Sequence, residues 1–262
     1  MITIMDFFRQ SEVRIRQVAI ILWDKRQWCT MGDHDCSNCK VRELSVLSKL
    51  SESDMLEFER ARRPAIFQKG EQIFSQGTTP KGLYCVSNGK VKITQNGIDG
   101  REQIIHLATS GDVMGYRAIL GGDKYSCSAI AIESSHLCWI PRQVFLNAVN
   151  KNPELASRLL LLFSNELKDA ENRITAIAQR PVRERLAQSL MLLRESYGVE
   201  SDGRTINVAV TREEIANITG TTRETTIRVL TEFSTDKIIS LRARKIAILD
   251  QDELRRIANL GG

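Results

Sequence analysis

The segment spanning residues 211–233 constrains the fold most, because it carries two helix-start signals only ten residues apart. It reads TREEIANITGTTRETTIRVLTEF. Thr211 with Glu214, and Thr221 with Glu224, have the spacing of a capping box, in which both side chains satisfy free N–H groups at a helix start. A glycine separates the two signals. We therefore predict a short helix, a tight turn and a second helix, the arrangement of a helix-turn-helix.

Each of the two predicted helices has one small apolar face and one polar face. A helix-turn-helix packs its apolar faces inward and places the second helix in the DNA major groove, N-terminus first. The residues that we expect to face inward are Ile215, Ala216 and Ile218 on the first helix, and Ile227, Val229 and Leu230 on the second.

The polar face of the second helix carries side chains suited to reading bases. Arg223 and Glu224 lie in its first predicted turn, and Arg228 follows four residues after Glu224. Arginine can bind guanine O6 and N7 together, and glutamate can accept a hydrogen bond from cytosine N4. The alternative is an ordinary ion pair between Glu224 and Arg228. Hydroxyl groups nearby are candidates for phosphate contacts: those of Thr211, Thr222 and Thr225.

Charge supports this prediction only locally. The whole chain of 262 residues has a formal net charge of +5, which does not by itself indicate a nucleic-acid partner. Residues 220–246 contain six basic side chains (Arg223, Arg228, Lys237, Arg242, Arg244, Lys245) against three acidic ones (Glu224, Glu232, Asp236). Such a surplus favours a phosphate backbone, although a solvated helix face would look the same.

Between Pro64 and Pro141 the pattern changes to short alternating segments broken by glycine-containing turns. Many short strands of this kind predict a β-sandwich or jelly roll. Asn88-Gly89 predicts a hairpin, because both residue types tolerate a positive φ. The predicted strands are Ala65–Phe67, Gln72–Phe74, Leu83–Val86, Lys90–Thr94, Gln103–Leu107, Ser128–Ile132 and His136–Ile140.

A long helix is predicted from Pro153 to Gln179, and a further helix is indicated near Ser11–Trp23. Apolar residues recur along the long helix at steps of three or four, which places them on one stripe. The stripe fits either a helix packed on its own domain or a dimer interface. Its members are Leu155, Leu159, Phe163, Leu167, Ala170, Ile174 and Ile177.

The stretch VTREEIANITGTTRETTIRVL resembles the DNA-binding signature of the CRP/FNR family of bacterial transcription factors. Arg223, Glu224 and Arg228 match the triplet of the cyclic-AMP receptor branch. The resemblance implies an α+β fold: a cysteine-containing segment (1–50), a β-roll or jelly-roll sensor domain (51–150), a dimerisation helix (151–180) and a winged helix-turn-helix (181–262). Short β segments are expected at Ile206–Val210 and Ile246–Leu249, the latter as a wing strand. A homodimer on a palindromic operator, with RNA polymerase as a further partner, is also implied.

The resemblance indicates what the sensor domain does not bind. Relatives that bind cyclic nucleotides hold the phosphate with a Gly-Glu pair and an Arg-Ser pair. Here Tyr116 stands at the glutamate position, and Ser126-Cys127 at the Arg-Ser position. Without that arginine nothing offsets the phosphate charge, so cyclic-nucleotide binding is not expected.

The cysteine pattern resembles that of the iron–sulfur oxygen sensors of the family. Cys29, Cys36 and Cys39 lie within eleven residues, and Cys138 precedes Trp-Ile-Pro at the position of the distant ligand. Ser45 stands where the third close ligand of those sensors would fall, and Cys29 offers a replacement. Four thiolates suit a [4Fe–4S] cluster, which we expect to order the N-terminal segment against the β-roll.

Other ligand sets stay open at this stage. The same four cysteines suit a zinc ion, a metal-free thiol switch is possible, and His34 could replace one cysteine. Haem would need an axial imidazole from His34, His106 or His136, of which His106 fits a structural role better. Cys85 and Cys127 are expected to be small hydrophobic residues within strands.

Enzyme and membrane classes find little support. The chain contains no Walker loop, GxSxG or HExxH motif. An oxidoreductase that uses the cysteines for electron transfer is the remaining enzyme alternative, and it would leave the helix-turn-helix unexplained. No apolar run approaches the ~18–20 residues that a bilayer crossing needs, so a cytoplasmic protein is expected.

Overall fold

The computed structural model describes residues 39–98 and 100–259. Three predicted features, the helix near Ser11–Trp23, the ligands Cys29 and Cys36, and the alternative ligand His34, lie outside the described residues. The described part begins with helix α1 (Lys40–Glu43), a 3-10 helix (Val46–Lys49) and helix α2 (Glu52–Ala61).

A β-roll of two four-stranded sheets follows. One sheet has the strand order β1-β8-β3-β6 and the other β2-β7-β4-β5. Every strand predicted in this region is present, which confirms the β-roll. The short strand β6 and helix α3 (Tyr116–Gly121) were not predicted. The strands are β1 (Arg63–Phe67), β2 (Gln72–Phe74), β3 (Gly82–Asn88), β4 (Lys90–Asn96), β5 (Glu102–Thr109), β6 (Val113–Met114), β7 (Ser128–Ala131) and β8 (Ser135–Pro141).

The predicted hairpin at Asn88-Gly89 is wrong. Strand β3 before it pairs with β8 and β6, whereas β4 after it pairs with β5 and β7, so the chain crosses here from one sheet to the other. Gly89 alone has a positive φ (104°). A side chain at this position would lie 2.3 Å from Ser135 Oγ, which explains why the corner requires glycine.

Two helices follow the roll, α4 (Arg142–Lys151) and α5 (Pro153–Gln179). Asn152 caps α5 by accepting hydrogen bonds from the N–H groups of Glu154 and Leu155, and Pro153 occupies the first turn, where its missing N–H costs nothing. These signals begin the 27-residue helix where the sequence predicted it.

The apolar stripe of α5 is divided between two environments. Leu155 and Leu159 are 0% and 2% exposed and belong to the core of the β-roll with Phe145 and Leu83, so their predicted place in a dimer interface is wrong. They are buried because the first turns of α5 pack against α4 and the 3-10 helix. Phe163 packs partly against the same core. Ala170 is exposed, as are the larger side chains farther along: Leu167, Ile174 and Ile177.

The C-terminal domain contains four helices and a two-stranded wing among the described residues. Its elements are α6 (Val182–Tyr197), α7 (Arg212–Thr219), α8 (Arg223–Thr235), β9 (Ile239–Arg242), β10 (Lys245–Ile248) and α9 (Gln251–Ile257). The predicted wing strand at Ile246–Leu249 matches β10 within one residue at each end. Ile206–Val210 is not a strand: Ile206 forms an isolated bridge with Val199, and the N–H groups of Ile206 and Val210 donate single hydrogen bonds to Ile246 and Arg244 of the wing.

One apolar core holds this domain together. Its most buried side chains come from every helix of the domain and from both wing strands, which makes the helix-turn-helix part of a rigid unit. They include Leu186, Leu190, Leu193, Ile215, Leu230, Phe233, Ile239, Ile246 and Leu254. Across residues 39–98 and 100–259, no helix has both the length and the apolar character required to cross a bilayer.

Candidate DNA-binding site and sensor cysteines

Helix α7 begins and ends as the sequence predicted. The Thr211 hydroxyl accepts from the N–H of Glu214, whose carboxylate accepts from the N–H of Thr211, so the capping box is confirmed. Gly220 ends the helix in the left-handed region (φ 71°).

Helix α8 begins one residue later than predicted. Thr222, not Thr221, is its N-cap, and the Thr222 hydroxyl accepts from the N–H of Thr225. The predicted pairing of Thr221 with Glu224 is therefore wrong. The physical reason is that Thr221 still belongs to the turn, because its N–H donates to the carbonyl of Ala216 in α7.

The buried face of α8 also differs from the prediction at one position. Val229, Leu230 and Phe233 are buried, but Ile227 is 40% exposed and Thr226 is fully buried in its place. The Thr226 hydroxyl donates to the carbonyl of Thr222 within the helix, which satisfies its polarity and lets the residue pack like a small apolar one.

The three predicted base-reading residues lie exposed on α8. Arg228 does form an ion pair, but with Glu232 (2.7 Å, i,i+4) rather than with Glu224, so the alternative pairing considered from the sequence is absent. The Arg228 side chain is 66% exposed, and an exposed pair of this kind is worth at most about 1 kcal/mol. The Arg228 side chain can therefore leave Glu232 at little cost in free energy. Arg223 and Glu224 lie in the first turn of α8.

The three threonines proposed for phosphate contacts differ in their present partners. The Thr211 hydroxyl donates to Glu214, and the Thr222 hydroxyl donates to Thr225 Oγ1 (3.0 Å). Thr225 only accepts in that pair, so its own proton is available to a phosphate oxygen.

A groove of about 250 Å³ lies between α7, α8 and the wing. Arg212, Arg223 and Arg244 all line it, which concentrates positive charge beside the first turn of α8. Arg212 and Arg244 were not predicted from the sequence as site residues. Arg244 was visible in the local charge count, but only the fold shows that the wing places it beside Arg223.

The DNA-binding domain is docked on the β-roll through α7. Lys92 on β4 contacts Glu102 (2.9 Å) and Glu214 (3.5 Å), and its side chain is only 14% exposed. Gln103 on β5 donates to the carbonyl of Asn217. Ile104 and Leu107 of β5 join the core of the DNA-binding domain. Glu214, which caps helix α7 of the helix-turn-helix, is thereby held by Lys92 of the β-roll.

The end of α5 also contacts the reading motif. Arg185 donates to the carbonyl of Ile177 (3.2 Å) and to the carbonyl of Gly220 (3.4 Å). The Ile177 side chain lies close enough to Gly220 that a Cβ there would meet it at 3.6 Å. The turn between the two reading helices therefore rests on the last turn of the long helix.

Cys39 and Cys138, two of the four proposed ligands, lie near each other. Burial raises the pKa of the Cys138 thiol, a hydrogen bond and the positive charge of Arg62 act in the opposite sense, and the nearby Cys39 adds to the rise. Within residues 39–98 and 100–259, no three metal-binding side chains form a group. The described residues thus contain two of the four proposed ligands, and a cluster would need further ligands from elsewhere in the chain.

Ser45 has a structural role. Its hydroxyl caps the 3-10 helix by accepting a hydrogen bond from the N–H of Leu47, and it donates a hydrogen bond to the carbonyl of Arg42. The residue as a whole is only 8% exposed. The segment after Cys39 is anchored on α5: Arg158 donates to Ser48 Oγ (3.1 Å), and the Asn152 side chain donates to the carbonyl of Lys49 (2.8 Å).

Tyr116, which stands at the position predicted to correspond to the phosphate-binding glutamate of relatives, contacts the long helix. The Tyr116 hydroxyl donates to Glu166 Oε1 on α5 (2.5 Å), and Arg117 donates to Glu166 Oε2 (3.0 Å). Tyr116 also packs edge-on against Phe163. Arg117 is thus already paired with the carboxylate of Glu166. Burial raises the pKa of the neighbouring Cys127 thiol.

His106 is half-buried on β5. Desolvation lowers its pKa, although the nearby Asp112 and Glu166 act in the opposite sense; Arg117 and Arg173 reinforce the lowering. This position within a strand is consistent with the structural role expected for His106. His136 lies on β8 and pairs in register with Ile66 of β1.

Comparison with known proteins agrees with the β-roll and the helix-turn-helix described above. The profile of the cyclic nucleotide-binding domain matches residues 65–152, and that of the Crp-like helix-turn-helix domain matches residues 184–257. The chain is 30% identical over 227 residues to the fumarate and nitrate reduction regulatory protein of Vibrio cholerae, covering 86% of this chain and 90% of that protein. It is 29% identical over 231 residues to regulatory protein HlyX of Actinobacillus pleuropneumoniae (87% and 95%).

A solved structure shares the fold. It is that of a CRP/FNR-family transcriptional regulator from Thermus thermophilus, which superposes with a TM-score of 0.64 and 26% identity, over 76% of this chain and 100% of that one.

Proposed function

The chain belongs to the CRP/FNR family of DNA-binding transcription regulators, and from this membership we propose that it acts as a homodimer on a palindromic operator under the control of a cysteine-ligated [4Fe–4S] cluster. It is a regulator and not an enzyme, as are the relatives that it matches. We further propose a cytoplasmic location and RNA polymerase as a partner at the promoter.

One observation carries the DNA-reading part of the proposal: Arg223, Glu224 and Arg228 are exposed along α8 beside a groove lined by further arginines. Arg223 would bind guanine O6 and N7, Glu224 would accept from a cytosine amino group, and Arg228 would leave Glu232 to reach the next base. Thr211, Thr222 and Thr225, with Arg212 and Arg244, are proposed as phosphate contacts.

Arg223→Ala tests this assignment. Selection from random duplexes first defines the operator, and titration then measures its affinity. We expect a loss of about 1–3 kcal/mol and relaxed preference at one base pair. Arg255→Ala is the matched control, because Arg255 is exposed on α9 and far along the chain from the reading helix. Equal losses for both variants would show that Arg223 contributes only general positive charge.

The exposed part of the α5 stripe supports the dimer. Six apolar residues alternate at steps of three and four, the heptad spacing of a two-stranded coiled-coil seam. Four of them are strongly exposed in the single chain: Leu160 (70%), Leu167 (61%), Ile174 (68%) and Ile177 (54%). We name as the seam Leu160, Phe163, Leu167, Ala170, Ile174 and Ile177. Leu160 was not predicted from the sequence.

For the sensor, we propose Cys29, Cys36, Cys39 and Cys138 as the cluster ligands. The nearness of Cys39 to Cys138 supports this set, as does the similarity to relatives named for fumarate and nitrate reduction. A bound cluster would supply reactivity toward oxygen or nitric oxide. Zinc at the same thiols and a metal-free switch are the competing proposals.

Residues of the chain connect this site to the seam. The segment that follows Cys39 is fixed to the start of α5 through Ser48 and Lys49, so a change in the position of Cys39 would act on that helix. Since recognition helices in successive major grooves must lie about 34 Å apart, a small displacement along α5 can change DNA affinity.

Anaerobic purification tests the cluster. We expect a coloured protein that contains iron and sulfide and whose visible spectrum bleaches in air. Cys138→Ser should lose the iron, whereas Cys127→Ser should keep it, because Cys127 is a half-buried cysteine in the bend just before β7 of the other sheet. Colourless protein without iron would refute the cluster, and colourless protein with zinc would favour the structural metal.

A further inference from the structure

A second cysteine lies directly opposite Cys138. Strand β3 pairs antiparallel with β8, and in that register Cys85 is the partner of Cys138. Residues directly opposite each other in an antiparallel pair point their side chains to the same face of the sheet, with Cβ atoms about 4.5–5.5 Å apart. No sequence pattern indicates this pair, because the two residues are far apart along the chain.

The hydrogen bonds of β3 define the pair further. The N–H of Val86 donates to Asp112, and the carbonyl of Val86 accepts from Gly111, so the backbone of Val86 faces the β6 side. Backbone groups alternate along a strand, which turns those of Cys85 toward β8. Such a hydrogen-bonded pair has a Cα separation of about 5.5 Å, within the range of about 4.4–6.8 Å that a disulfide spans.

The surroundings hold both residues in place. Each cysteine is half-buried, and Cys85 packs against the apolar core that contains Leu83, Ile140 and Leu155. Both lie inside a four-stranded sheet, where β3 and β8 each have a neighbour on both sides. A disulfide brings its two Cβ atoms to about 3.5–4.5 Å, so the bond needs side-chain rotation and a small approach of the two strands.

We propose that Cys85 and Cys138 are an oxidation site that closes to an intrachain disulfide when the protein meets hydrogen peroxide. One thiolate attacks the peroxide O–O bond and becomes a sulfenic acid, releasing water after proton uptake. The second thiol attacks that sulfur; the S–S bond forms, the S–O bond breaks and a second water leaves. The two thiols lose two electrons and two protons, and one peroxide is reduced to two waters.

The bond would withdraw Cys138 from the ligand set, so its regulatory consequence rests on the proposed cluster. Reassembly of the cluster would then wait for reduction of the disulfide. The bond itself follows from the strand register alone, and it is tested on cluster-free protein. A negative result there leaves the cluster proposal standing, and loss of the cluster proposal leaves the disulfide testable.

The test is peptide mapping of reduced, cluster-free full-length chain after one equivalent of hydrogen peroxide and alkylation of remaining thiols. Cleavage after lysine and arginine places Cys85 on the peptide of residues 82–90, and Cys138 on that of residues 125–142. We expect these two peptides linked, with a mass two hydrogens below their sum.

Two variants identify the partners. Cys127 shares the 125–142 peptide with Cys138, so the link must persist in Cys127→Ser and disappear in Cys85→Ser. Linkage of residues 125–142 to residues 27–40, which carry Cys29, Cys36 and Cys39, would overturn the proposal. So would recovery of both thiols in alkylated form after the peroxide treatment.

Discussion

Replacing Leu167 by alanine tests whether the exposed stripe of α5 is a dimer seam. Leu167 is 61% exposed in the single chain, and it lies at the centre of the heptad series. Complete burial of a leucine side chain contributes about 1.5–3 kcal/mol. The exposed fraction therefore leaves about 1–2 kcal/mol that only a partner can supply.

Twofold symmetry doubles this effect, because the substitution occurs once in each protomer. The expected loss is about 2–4 kcal/mol, and since about 1.4 kcal/mol corresponds to a factor of ten, the dimer dissociation constant should rise roughly 30- to 700-fold. DNA affinity should fall in parallel at low protein concentration, where the variant is monomeric.

Sedimentation equilibrium measures the dissociation constant directly. Leu161→Ala is the control, because Leu161 is 59% exposed on the same helix but falls outside the heptad positions of the seam. We expect its dimer to match the unsubstituted protein. If both substitutions weaken association equally, or if the unsubstituted protein binds its operator as a monomer, the seam assignment is wrong.

Three further predictions concern stability. Phe233→Ala removes a side chain that is fully buried in the DNA-binding domain, and it should lower the free energy of unfolding by about 3–5 kcal/mol in a urea titration. An unchanged midpoint would contradict the packing. His106 has a lowered pKa in the folded chain, so the unfolded chain takes up a proton first as the pH falls through 6.5, and the free energy of unfolding should decrease there. His106→Gln should lessen that decrease. A variant as acid-sensitive as the original protein would refute this prediction. Lys92→Met leaves Glu102 and Glu214 without their shared cation, which should cost about 1–3 kcal/mol, whereas Lys69→Met at an exposed position should cost nothing measurable.

Features set by neighbouring residues were predicted correctly from the sequence. The capping box of Thr211 and Glu214 and the start of α5 at Pro153 depend on contacts within a few positions. The exception is the capping box predicted for Thr221 and Glu224, because Thr221 still belongs to the turn after α7. Because turn and capping interactions join residues close together in the chain, the amino-acid sequence alone shows their pattern.

Features that depend on residues distant in the sequence were not predicted correctly. Asn88-Gly89 has the composition of a hairpin, but which sheet each strand joins is decided by pairing with β8 and β5. Leu155 and Leu159 share the period of the seam, yet the packing of α4 beside them buries both. The opposition of Cys85 and Cys138 is a matter of strand register, which no local pattern specifies.

The contact between Arg185, Ile177 and Gly220 limits how relatives of this chain can be recombined. A chimera that joins this long helix to the reading head of another family member would carry a foreign turn onto Ile177, and a residue other than glycine at position 220 would be strained by the positive φ of 71° there. The guanidinium of Arg185 also needs both carbonyls in place. The long helix, which we propose joins two subunits, and the turn between the two reading helices are therefore packed as one unit. Exchange of regulatory heads should succeed only when the crossover point lies before α5 or when Arg185, Ile177 and Gly220 are transferred together.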